Sequence, residues 1–383
     1  AHVPLLYIWV LFFYLLYDIG TAWNGTGPLL QKYTYDAGVR TKIVAVMRVA
    51  LIVAALPATF FIPVITGVNK SIGDIGKTYS IVCALFTVIV AVLSVLGVLL
   101  IKEPENKYSE EHTPEKLRVK DALVMFKSNK PVWIHTIGFI LQEFSATIST
   151  IVMVYFLKWV YCADLSTGIV DNDQYAHLYT ILTVVGVIPT FVCPFLSIAA
   201  IKKIGSVDKV LKTFLLMSGI GYVVFFLTYL TGLLQASFAV CLVMRFFLAI
   251  ANGMTTIPMM LLWTECSDYA EYTSGRSMTA LVSSVEHLMS KTQMAFASLI
   301  PGAILIAVGY SVNSQTGAYS GDLANLPHMI SSFALIYTLL PAVLILTAWF
   351  IYHRFYPITP EKRMEMTNIL KARREQFVQQ ENA

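Results

Sequence analysis

Residues 79–101 read YSIVCALFTVIVAVLSVLGVLLI, 23 positions without one charged side chain. A helix rises 1.5 Å per residue, so about 20 apolar residues cross a hydrocarbon core of ~30 Å. The run is too long for a strand and lacks the alternation of an outer-membrane barrel. In lipid a lone segment must satisfy its own backbone hydrogen bonds, which leaves helix as the only conformation. Moving outward, comparable stretches lie at 3–23, 43–67, 132–158, 178–201, 210–233, 236–262, 279–309 and 329–352, which makes nine expected spans. The fold class expected is an all-α polytopic membrane protein with nine transmembrane helices.

Composition agrees. Of 383 residues, 57% are hydrophobic and only 13% charged, against about 25% charged in soluble domains. Mean hydropathy is +0.68. The net charge of +4 comes with no long basic run, which argues against a nucleic-acid partner. The cysteines Cys83, Cys162, Cys193, Cys241 and Cys266 form no CxxC pair, so they read as small buried residues. HExxH, GxSxG and P-loop motifs are absent, so no catalytic residue, metal or cofactor is expected.

Lys and Arg concentrate in alternate connections. Segment 102–131 carries Lys102, Lys107, Lys116, Arg118, Lys120, Lys127 and Lys130, and the tail after 353 carries Arg354, Lys362, Arg363, Lys371, Arg373 and Arg374. The connections 161–176, 234–235 and 310–328 have neither residue. The basic connections, and the C-terminus with them, are therefore expected on the cytoplasmic side of the plasma membrane, a bacterial inner membrane. Segments 1–101, 102–131, 132–352 and 353–383 then read as the remnant of an N-terminal helical half, a central connection, a six-helix half and a basic tail. Transporters built from two six-helix halves place the long connection at the midpoint. Three spans are accordingly expected to be missing from the front.

Ionisable residues inside spans are candidate functional groups, because each costs at least ~2.5–3.5 kcal/mol at the helix centre. Lys291 leads, with His287 one turn before it and Glu286 alongside. Glu143 is flanked by Gln142, Ser145, Thr147 and Ser149, and Arg245 lies within 236–262. Pairings of Glu143 with Lys291 and of Arg245 with Glu286 would either serve a site or only hold helices together. Arg48 either reaches inward or snorkels to the surface. Asp18 is a coupling group or an interfacial acid. The polar stretch Ala249–Pro258 either lines a cavity or is a packing kink. Trp23, Trp159 and Trp263 sit near span ends, where an aromatic belt accounts for them. Glu265, Asp268 and Glu271 are expected in a charge-paired gating loop with Arg276.

The run Asp268-Tyr269-Ala270-Glu271-Tyr272, then Gly275-Arg276, then Lys291 through Ala295-Phe296-Ala297 to Gly309-Tyr310 resembles the glycoside–pentoside–hexuronide:cation symporters. These form the melibiose-permease-like branch of the major facilitator superfamily. The closing Phe355-Tyr356-Pro357-Ile358-Thr359 and the connection Asp121-Ala122-Leu123 through Asn129-Lys130-Pro131 are similar to that family as well. The resemblance covers essentially the whole chain, beginning at the family's fourth helix. It implies a major-facilitator-type fold, with three helices of the N-terminal half and six of the C-terminal half. It further implies symport of a sugar or glycoside with Na⁺ or H⁺ by a monomer in the lipid bilayer. By the same resemblance Asp18, Trp23, Arg48, Thr256 and Lys291 would bind substrate, and Asp18 and Lys291 would couple the cation; Glu143, a carboxylate inside a span, is expected to join the substrate site, and Asp268, Glu271 and Arg276 to gate by forming and breaking ion pairs. Thr256 falls where the family can carry a sugar-stacking tryptophan, which implies altered selectivity. The alternatives are a transporter of a lipid-like or organic-anion solute on the same fold, and a transport-inactive truncated or sensor protein.

Overall fold

The computed structural model describes residues 9, 12, 37–59, 61–100, 124, 127–276, 278–312 and 319–381. The continuously described part begins with α1 (Ala37–Thr59), α2 (Phe61–Ile72) and α3 (Ile75–Leu100). After the 102–131 connection come α4 (Lys130–Tyr161), a hairpin of β1 (Ala163–Asp164) and β2 (Ile169–Val170), and α5 (Asn172–Ile204). The chain continues through α6 (Val207–Leu230), the single turn α7 (Leu233–Ala236), α8 (Phe238–Ser274) and α9 (Thr279–Ala307). A last membrane-length rod joins α10 (Leu326–Ala334) to α11 (Leu340–Phe355) through a π-helical turn at Leu335–Leu339. The tail forms α12 (Pro360–Glu381).

Six helices among the described residues are long and apolar enough to cross a bilayer: Gly76–Gly97, Lys130–Tyr161, Asp173–Ile204, Val207–Leu230, Phe238–Ser274 and Leu323–Phe355. The expected spans 43–67 and 279–309 fall on α1–α2 and α9, while 3–23 lies outside the described residues apart from Trp9 and Phe12. The helix limits follow from local chemistry. Asn129 accepts from the Val132 amide with Pro131 in the first turn, which starts α4. Asp171 caps α5 by accepting from the amides of Asp173 and Gln174. Gly275, at φ +70°, takes the left-handed conformation that stops α8.

The expected gating loop is corrected here. Glu265, Asp268 and Glu271 lie on α8, which runs three turns beyond the predicted limit of 262, through Pro258, to Ser274. Neither Gly nor Pro occurs between Met259 and Ser274, so nothing in the backbone interrupts the helix. The three acids are spaced i, i+3, i+6 and share one face.

The helices α5 and α6 flank α8, α11 packs between α4 and α6, and α9 leans on α4 and α8. On the other side α1 packs against α5 and α8. Phe156, Trp159, Leu211, Leu215, Tyr222, Phe225, Phe333 and Tyr337 fill the core. By contrast α3 shows its apolar side chains outward, with Leu99 73% and Leu100 78% exposed, as a lipid-facing helix should.

Two belt assignments are also corrected. Trp159 is fully buried, edge-on to Tyr310 and Tyr319. Trp263 is buried against His135, ring centroids 4.5 Å apart. Trp159 lies near the end of α4 and Trp263 eleven residues before the end of α8, and neighbouring segments of the bundle cover both.

Lipid tails are as apolar as the helix surfaces, so close packing of small residues holds the bundle together. A Cβ on Gly138 would lie 2.3 Å from the ring of Tyr352, which is itself held by a 2.7 Å hydrogen bond to His135 Nδ1. Gly138→Ala is expected to destabilise the protein by about 1–3 kcal/mol through overpacking. The unfolding midpoint in detergent measures this; an unchanged midpoint would show that the ring moves freely.

Candidate functional site

Halfway along α4 and α8 a polar layer crosses the apolar bundle. Gln142 Nε2 donates to Thr255 Oγ1 (2.8 Å), which donates to the Asn252 carbonyl (2.7 Å). Ser218 Oγ on α6 donates to Asn252 Oδ1 (2.6 Å), and Gln293 Nε2 on α9 donates to Thr147 Oγ1 on α4 (3.1 Å). Tyr222 donates to Ser149 at 3.4 Å, and Gln142 Oε1 is buried without a hydrogen-bond partner. Buried polar groups in an apolar interior are unfavourable unless satisfied. A four-helix layer of amides and hydroxyls is suited to hydroxyl-rich solutes, which offer donors and acceptors together.

The charged candidates adjoin this layer. The Gln293–Thr147 bond sets the register of α9 on α4. Glu143 is one turn before Thr147, and Lys291 two residues before Gln293. Helix rise then places the two backbones within about 3 Å of the same depth. Both side chains are half-buried, and both are engaged with other parts of the protein. Thr256, also half-buried, follows the hydrogen-bonded Thr255. Arg48 lies on α1, with its side chain outside the described ones, and Asp18 and Trp23 lie outside the described residues. The expected Arg245–Glu286 ion pair is not formed among the described residues.

At the end of the bundle that carries the tail, charges join elements far apart in sequence. Arg40 Nη1 on α1 donates to Asp268 Oδ2 on α8 at 2.6 Å, the two side chains being 6% and 17% exposed. One turn earlier on α8, Glu265 accepts from Arg363 of α12 twice, Nε to Oε1 at 2.5 Å and Nη2 to Oε2 at 3.1 Å. The same guanidinium reaches Asp208 Oδ1 of α6 (3.2 Å), and Lys212 reaches Asp208 Oδ2 (3.1 Å). Tyr356 donates to Glu265 Oε2 at 3.0 Å. Lys362 sits 4.6 Å above the Tyr272 ring and donates to its hydroxyl, which donates on to Glu365. Of the three expected gating residues, Asp268 makes the inter-helix pair, Glu271 is buried, and Arg276 is exposed.

Arg40, Asp208, Arg363 and Lys362 were not singled out from the sequence. Arg40 and Arg363 were visible as basic residues at a helix start and in a basic tail. Their partners lie 228 and 98 residues away, beyond the reach of any local pattern.

Comparison with known proteins agrees with this architecture. Residues 2–360 match the family described as MFS/sugar transport protein. An uncharacterized symporter, YnaJ of Bacillus subtilis (strain 168), is 23% identical over 358 residues, covering 91% of this chain and 68% of the relative. A helical bundle with a polar midlayer, matched by that family over nearly its full length, is a multi-pass membrane transporter and not an enzyme. The chain belongs to the MFS/sugar transport protein family.

Proposed function

We propose that the protein is a secondary active symporter that moves a sugar or glycoside with Na⁺ or H⁺ by alternating access. The Arg40–Asp268 pair carries this reading. It joins α1, which precedes the 102–131 connection, to α8 in the bundle that follows it. A desolvated guanidinium–carboxylate contact between two helical groups is a closure that can break and re-form as they rock. The polar layer then supplies the site. Glu143, Thr256 and Lys291 bind the solute together with Arg48, Asp18 and Trp23, and Asp18 with Lys291 couples the cation. Asp268, Glu271 and Arg276 gate, joined by Arg40. Positive charge in alternate connections supports a cytoplasmic tail in a bacterial inner membrane, and the protein is expected to act as a monomer.

Purified protein in liposomes tests the proposal. An imposed sodium or proton gradient should drive a labelled glycoside above equilibrium, and an ionophore should abolish the accumulation. Equilibration without accumulation under every gradient would overturn symport.

The gate has its own test. Arg40→Asp or Asp268→Arg alone sets like charges face to face and should reduce uptake by at least about tenfold, or ~1.4 kcal/mol. The double exchange should restore uptake to within about threefold, as expected for residues coupled by direct contact. Failure of the exchange to rescue either single variant would show that the pair is not a gate.

A further inference from the structure

The helices α6 and α11 pack against each other along the outside of the bundle. Asp208, in the first turn of α6, meets Arg363, which follows the end of α11, so the two helices run in opposite directions. Gly219 fixes their register: an added Cβ would lie 2.5 Å from Leu346 Cδ2 and 3.5 Å from Ile345 Cγ2. Ten residues from Gly219 toward the tail end lies Lys209 on α6, and ten from Ile345 lies Phe355 on α11. Helix rise therefore puts Lys209 within about 3 Å of the depth of Arg354.

Both basic side chains are exposed, and neither forms an ion pair among the described residues. The neighbouring acid is already engaged, since Asp208 is held by Ser206, Lys212 and Arg363. Glu361, in the first turn of α12, is within electrostatic reach of Lys209, but it is exposed, where water and salt screen it. Arg354 lies 5.9 Å from the centre of the Phe355 ring, and the exposed His353 stacks on Trp349. Below these charges two exposed stripes continue into the membrane, Met217, Ile220 and Val224 on α6 and Phe350, Thr347 and Val343 on α11. Their spacings are helical, so each stripe occupies one face.

Acyl chains are enough to cover the apolar stripes, but they do not answer two cations at one depth above the seam. A lipid with a net negative headgroup does both. Its phosphate matches the planar fork of an arginine and the point charge of a lysine, whereas a zwitterionic lipid brings a cation of its own to the same place. We propose that Lys209 and Arg354, above the lipid-facing seam of α6 and α11, form a binding site for an anionic phospholipid. The site is independent of what the protein transports.

Native mass spectrometry of the full chain, stripped of lipid in detergent, tests this with dioleoylphosphatidylglycerol against dioleoylphosphatidylcholine. A basic residue near the surface contributes about fivefold to the binding of an anionic lipid. Two of them should favour phosphatidylglycerol by at least about tenfold. Lys209→Gln combined with Arg354→Gln should bring the two lipids level, and the fold should survive because both side chains are exposed. Glu361→Gln removes an opposing charge and should tighten phosphatidylglycerol binding. Lys202 and Lys203 are exposed at the end of α5, and changing both to Gln removes the same charge away from the seam. That variant should keep the preference. Equal affinity for the two lipids in the parent protein, or an unchanged preference in the Lys209→Gln, Arg354→Gln variant, would overturn the site. An equal loss from the Lys202→Gln, Lys203→Gln variant would overturn it too, by reducing the effect to a general surface potential. Displacement of phosphatidylglycerol by an equal concentration of inorganic phosphate would overturn the lipid assignment, since a free anion would then be the ligand.

Discussion

Lys291→Ala is expected to bring gradient-driven accumulation down to background while the protein still inserts and folds. Lys291 is twelve residues into α9, about 18 Å along it, and is held at the depth of the polar layer by the Gln293–Thr147 bond. A charge kept at that depth is worth ~2.5–3.5 kcal/mol of compensating interaction, so its loss should reduce uptake roughly a hundredfold. Alanine is the best helix former, and the side chain is only half-buried, so α9 itself should survive the change. Lys291→Arg should recover part of the activity, because it keeps the charge but replaces a compact ammonium with a rigid fork. Uptake and the amount of protein in the membrane are measured together. Near-normal accumulation by Lys291→Ala would remove Lys291 from the coupling mechanism, and a lost protein band would mark it as a folding residue instead.

The helical spans were legible because their signal is local. Twenty apolar residues in a row have one outcome in lipid, and α3 to α6, α9 and α11 lie where hydropathy puts them. Misreadings occur where a neighbour decides. The acids of 265–271 looked like a loop because charge usually marks a membrane exit, yet Arg363, Tyr356 and Arg40 arrive from other elements to satisfy them on a continuing helix. Trp159 and Trp263 looked like belt residues because they sit near the expected span ends, and aromatic and histidine rings from distant segments bury them instead. At the site, the sequence marked Gln142, Glu143 and Lys291 as membrane polar residues but not which helices they join, since Gln142 meets a threonine 113 positions away. Arg245 was marked too, but with Glu286 for a partner. That the described residues leave it unpaired, beside Gly186 on α5, is knowable only from packing.

Arg363→Ala is expected to destabilise the protein by about 2–3 kcal/mol and to loosen the end of α8 that carries the Arg40–Asp268 pair. The sequence marks the tail as a basic cytoplasmic segment; in the structure its Arg363 is a clamp between α6 and α8. Burial acts against the guanidinium charge, but its hydrogen bonds to Glu265 and the charges of Glu265 and Asp208 outweigh this and hold it above its ordinary pKa. Truncation leaves Glu265, with its side chain only 9% exposed, facing Asp208 with no arginine between them. Removing one partner of a buried pair typically costs about 3–5 kcal/mol, and the 24% exposure of Arg363 lowers that figure. Two further variants separate charge from packing. Glu265→Gln added to Arg363→Ala should recover part of the loss by removing a stranded carboxylate, whereas Arg363→Lys should fall between, since a lysine cannot bridge Glu265 in two places. Asp268 is one turn beyond Glu265, so a frayed α8 should also expose the Arg40–Asp268 contact. A cysteine introduced at Ser274, already exposed at the last residue of α8, should react faster with a polar maleimide in the Arg363→Ala background. A midpoint within about 0.5 kcal/mol of the parent, with unchanged labelling, would reduce the tail to a surface appendage and leave Arg40 alone to close that end.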